Sequence, residues 1–159
     1  MGELETAQSY IENGLKIQRN AELSFGLAYH FRLLSRVHFD SGDLKKAQDC
    51  IENALKISQK NNGANFAGLS KSYPGRILGR ADPPQSDKAE ESILQGIKIL
   101  DELKIKPYSA QGCLFLGELY VDTGQRQKAW KTSKKAEGMF QEMGMDYRLA
   151  RTREVLARL

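Results

Sequence analysis

An all-α fold, a right-handed α-α superhelix of about eight antiparallel helices, is what this 159-residue sequence predicts. Three observations carry the prediction. A segment of nineteen residues recurs forty positions later with ten identities (Gly, Leu, Ala, Gln, Ile-Glu-Asn and Leu-Lys-Ile), when GELETAQSYIENGLKIQRN is set over GDLKKAQDCIENALKISQK. Weaker copies begin at Ser86 and Gly124, so that Ala7, Ala47, Ala89 and Ala129 fall 40, 42 and 40 residues apart. Each of these alanines is followed seven residues later by a second small residue: Gly14, Ala54, Gly96 and Ala136. Seven residues are two helical turns, so both small residues share one face, as a helix needs where another backbone comes close.

Composition agrees. Four prolines and few β-branched runs favour helix over sheet, and 40% apolar with 28% charged residues is ordinary for a soluble domain. Lys and Arg number 24 against 20 Asp and Glu, well mixed, so the net charge of +4 reads as a solvated surface. A nucleic-acid footprint would cluster on one face, and none is expected. Cys50 and Cys113 are too few and too far apart for a disulfide framework or a structural zinc site, and no metal or cofactor is expected. No charged-then-apolar leader opens the sequence, and no apolar run approaches the roughly 20 residues that span a bilayer. A cytoplasmic setting is expected.

The elements follow in order within one domain over 1–159. A lone second helix over 3–19 carries Leu4, Ala7, Ile11 and Leu15 at helical spacing. A repeat over 21–60 pairs a helix from 21 to 39, packed through Phe31, Leu34, Ser35 and His38, with a helix from 44 to 60. Gly42 ends the turn between them and Asp43 is the expected N-cap. Asn61-Asn62-Gly63 is a turn signal. The repeat over 64–103 has Pro74-Gly75 inside its first helix, where the missing amide and the ring predict a kink or break. Asp82-Pro83-Pro84-Gln85 closes that helix, and Ser86 is the expected cap of the next. The repeat over 107–143 turns at Thr123-Gly124. Gly117 admits its partner helix, and Leu116, Leu119, Tyr120, Trp130 and Phe140 fill in around the contact. A basic capping helix over 146–159 carries Arg148, Arg151, Arg153 and Arg158.

These units resemble tetratricopeptide (TPR) repeats, which place a small residue eighth in the first helix, an alanine twentieth and a small residue twenty-seventh. With Gln111 as the second position, Gly117 is eighth, Ala129 twentieth and Ala136 twenty-seventh; Tyr120 and Gly124 also suit the pattern. Ser35, Ala47 and Ala54 repeat it, and Gly79, Ala89 and Gly96 do so after a shortened turn. The period near forty exceeds the usual 34, and no proline closes each unit. In this the chain is similar to long-helix TPR arrays of bacterial signalling ATPases, nucleotide cyclases and transcription regulators. The resemblance implies a non-catalytic module that binds a protein or peptide in a concave groove lined by the first helices.

On that pattern, positions two, five, nine and twelve face the groove. They are Tyr29, Arg32, Arg36 and Phe39; then Tyr73, Arg76, Arg80 and Pro83; then Gln111, Leu114, Glu118 and Val121. The four guanidinium groups of Arg32, Arg36, Arg76 and Arg80 suit carboxylates or phosphate, because arginine donates in a planar fork, and an acidic peptide across them is the expected ligand. The alternative is pairing of these arginines with Asp40, Asp82 and neighbouring acids. His30 and His38 are eight apart, off the spacing of a helical metal pair, and His38 reads as a core residue. No phosphate loop, dinucleotide fingerprint or zinc-protease motif occurs. The first helix lacks its usual partner, so Leu4, Ile11, Leu15 and Ile17 are a candidate self-association surface, with a homodimer as the alternative function.

Overall fold

The computed structural model describes residues 2–21, 26–60 and 65–159, with side chains throughout these except at 65–67 and 70. The described residues form eight α-helices and no strand. They are α1 (Gly2–Asn20), α2 (Leu27–Asp40), α3 (Leu44–Lys60), α4 (Asn65–Arg80), α5 (Ser86–Glu102), α6 (Lys106–Asp122), α7 (Arg126–Glu142) and α8 (Asp146–Leu156). Among them, none is long and apolar enough to cross a membrane. The contacts gather into two compact units, Met1–Phe66 and Ala67–Leu159.

In the first unit α2 packs against both α1 and α3. Ala47 and Ala54 of α3 have no exposed surface, which lets α2 come close enough for Ser35 Oγ to donate to the Ala47 carbonyl at 2.7 Å. Leu15, Leu34, Val37 and Ile51 close around that contact, and His38 is buried among them as a core residue. The Asp43 cap is present: Oδ1 accepts from the Lys46 amide at 3.0 Å, satisfying one of the open donors of the first turn. α2 starts later than the pattern suggested. Gly26 precedes it at φ +93°, a conformation glycine tolerates and a helix does not continue through. Residues 22–25, and the Asn61-Asn62-Gly63 turn signal, lie outside the described residues.

In the second unit the tightest crossing is between α4 and α5. A Cβ on Gly96 would lie 2.6 Å from the Gly68 carbonyl oxygen, and one on Gly75 would lie 2.9 Å from that of Ala89. With no Cβ on these glycines, the backbones close up and the Ser72, Ile93 and Leu100 side chains fill the space beside them. Gly117 does the same for α6 and α7, where the Ser133 side chain fills the space a Cβ would need. Ile93, Leu100, Ala129, Ala136 and Phe140 are then sealed completely. α6 lies in the middle, buried continuously from Ser109 to Tyr120.

Three expectations are corrected. α4 continues through Pro74 without a break, and Ser92 Oγ of α5 donates to the Lys71 carbonyl in the turn before the proline at 2.8 Å. Ser86 is the first residue of α5 rather than its cap, and Gln85 before it makes no side-chain capping bond. Trp130 does not join the core but stands 57% exposed.

Two glycines in helices separate packing from propensity. Gly96→Ala is expected to destabilise the fold by about 1–3 kcal/mol, because backbone on α4 must move. Gly138→Ala in α7, where a Cβ meets nothing within 4 Å, is expected to stabilise by about 0.5–1 kcal/mol. Urea unfolding of the two variants checks both signs.

Candidate functional site

The residues at the groove positions of α4 and α6 meet inside the second unit. Tyr73 of α4 is buried, and its hydroxyl accepts from Gln111 Nε2 of α6 at 2.7 Å. One turn on, Arg76 grips Glu118 with both arms of its fork, Nε at 2.9 Å and Nη2 at 3.2 Å. The Arg76 guanidinium also lies over the Phe115 ring, 4.4 Å from its centre, and that ring meets Tyr73 edge-on. Leu114 is buried beside them. A further turn on, Arg80 Nε reaches Asp122 at 3.5 Å.

α8 completes the row from the other side. Arg151 lies 3.6 Å from Glu118 and 3.0 Å from Glu154, and Arg158 binds Asp122. Each central carboxylate of α6 thus bridges an arginine of α4 and one from α8 (Arg151) or just after it (Arg158). Solvent access separates the two tiers. Glu118 and Arg76 are nearly sealed, whereas the Arg80, Arg151 and Arg158 side chains are each about half exposed. The arginines were visible in the sequence, and so was their pairing with acids as an alternative; the acids that pair with Arg76 and Arg80 are Glu118 and Asp122. The part played by α8 was not seen. Its signal was present, since Arg151 and Arg158 stand forty residues after Gln111 and Glu118 and so share their groove register.

In the first unit the remaining set lies on α2. Tyr29 is 47% exposed and the buried Arg32 guanidinium lies 4.9 Å from its ring centre. Arg36 is half-buried and 3.7 Å from Asp40, and Phe39 is buried. On α1, Leu15 belongs to the core, Leu4 and Ile11 are half-buried, and Ile17 is exposed.

The other titratable groups serve packing. Burial pushes the Cys113 thiol up, away from the thiolate that a nucleophile needs. Burial, and then the Glu90 carboxylate that accepts its hydrogen bond at 2.6 Å, push the Tyr120 hydroxyl well above the usual tyrosine range. Among the described residues no group of three or more His, Cys, Asp or Glu side chains is placed to hold a metal ion.

Removing one member of a sealed ion pair strands the other. Glu118→Gln is therefore expected to destabilise the protein by about 3 kcal/mol, and the double change Arg76→Met with Glu118→Leu to recover most of that loss. Asp122→Asn, in the wetter tier, should stay within about 1 kcal/mol. Chemical denaturation of the three variants measures the order.

The tetratricopeptide repeat family matches residues 33–61, which cover the second half of α2 and all of α3. No curated protein matches the chain. With that match inside an array of paired helices, the protein has an all-α, TPR-like helical repeat fold and carries the protein-interaction motif of that family.

Proposed function

We propose that this protein is a non-catalytic interaction module that binds an acidic peptide or an acidic segment of a partner protein on its first-helix face. The observation that carries the reading is the row across α4, α6 and α8. There Arg76, Arg80, Arg151 and Arg158 stand in one row with Glu118, Asp122 and Glu154. Glu118 holds the sealed tier as a brace, while Arg80, Arg151 and Arg158 present half-exposed guanidinium groups to solvent. Guanidinium groups held by a neighbouring acid keep a fixed direction, so little side-chain entropy is lost when a ligand carboxylate joins them. On α2 of the first unit, Tyr29, Arg32 and Arg36 occupy the corresponding positions of their own repeat.

A fluorescently labelled oligoglutamate peptide is the probe. It should bind the wild type with an affinity that falls as salt rises. Arg80→Glu with Arg158→Glu should weaken it at least tenfold, about 1.4 kcal/mol, in a protein whose circular dichroism stays helical. Lys131→Glu and Lys135→Glu on α7 should leave it nearly unchanged. Equal loss in both pairs would reduce the effect to net charge and reject the site.

A further inference from the structure

α7 and α8 flank a groove lined by Arg126, Gln127, Trp130 and Lys131 from α7 and by Leu156 and Leu159. The repeat itself shows what such a groove accepts. Leu156 and Leu159 stand forty residues after Leu116 and Leu119, and Ala150 and Ala157 stand forty after Ala110 and Gly117. In α6 all four of those positions are buried, with α7 packed on the helix and Ser133 filling the space beside Gly117. In α8 the alanines are exposed. Trp130 fits the same scheme: at its register in α5 stands Glu90, which reaches Lys128 of the next second-type helix at 3.3 Å. The open face thus has the register to seat a second-type helix with small residues seven apart.

α1 is a helix of that type, with Ala7 and Gly14 in the small positions and the ten identities to the α3 segment. One side of it packs on α2, where Gly14 lies against the His30 ring. Another side carries Tyr10 and Ile17, seven residues apart and 75% and 67% exposed. In α5 the residue at the register of Tyr10 is Ser92, whose hydroxyl bonds the Lys71 carbonyl of α4, the first helix of its own pair. Tyr10 and Ile17 therefore lie on the side that a second-type helix turns toward its own first helix. Charge agrees as well. α1 opens with Glu3 and Glu5, and Arg126 and Lys131 of α7 are among the residues that line the groove.

We infer that the protein associates with itself head to tail: α1 of one copy seats against α8 and Trp130 of the next, where it completes a helix pair. Two different patches meet, so the contact is heterologous rather than two-fold. It uses none of the half-exposed arginines of the proposed peptide site, and the two can fail separately.

Tyr10→Glu and Trp130→Glu alter exposed side chains, so both variants should fold. In sedimentation velocity the wild-type mass should rise with concentration. Each variant alone should remain monomeric or weaken association at least tenfold. Mixed in equal amounts, the two variants should form a dimer and stop there, because each brings one intact patch. A wild type that stays monomeric at its solubility limit would overturn the inference. So would a mixture that stays monomeric, or association that survives Tyr10→Glu and so runs through Trp130 alone.

Discussion

Contact between helix backbones, made possible where side chains are missing or reduced to a methyl group, sets the geometry of everything else in this protein. At the α4–α5 crossing, Gly68 and Gly75 lie against the carbonyls of Gly96 and Ala89, closer than any larger residue permits. Ser35 on Ala47 and Gly117 on Ser133 repeat the arrangement in α2–α3 and α6–α7. Glycine in a helix costs about 1 kcal/mol relative to alanine. Dense dispersion contacts around the crossing offset that cost, because Ile93, Leu100 and Phe140 are completely enclosed once the backbones have closed up.

Such closeness leaves the central helix with no wet side. α6 buries Gln111 and Glu118 along with its apolar residues, and buried polar groups are tolerable only when satisfied. Tyr73 and Arg76 supply the partners from α4, and Arg151 reaches Glu118 from α8. These bonds are directional where apolar packing is not, so they hold α4 in register on α6. The same row passes from a sealed pair at one tier to half-exposed arginines at the next. A sealed brace and a wetter arginine tier thereby stand one helical turn apart in the same row.

Repetition also explains why both helices at the margins of the described array show unusual exposure. A second-type helix has a side meant for its own first helix, and a first-type helix has a side meant for its second. On α1 that side carries Tyr10 and Ile17; on α8 it carries Ala150 and Ala157 beside Trp130 and Leu156. The chemistry of the two sides matches because both were shaped by the same forty-residue rule.

Local signals in the sequence were enough to determine the helices, their pairing and most of the packed stripe. Period, capping at Asp43 and the small residues at Ala47, Ala89, Ala129 and Gly117 are properties of neighbouring residues along the chain. In α4 and α6 the residues at these positions meet, Tyr73 with Gln111 and Arg76 with Glu118, yet the register could not tell that Arg76 would be sealed while Arg80 stayed half exposed. It could not tell that Trp130 would face outward, or that α4 would continue as a helix through Pro74. Each of those outcomes depends on which helix lies across from the residue in question. That is decided when backbones approach in space, and a one-dimensional period carries no record of it.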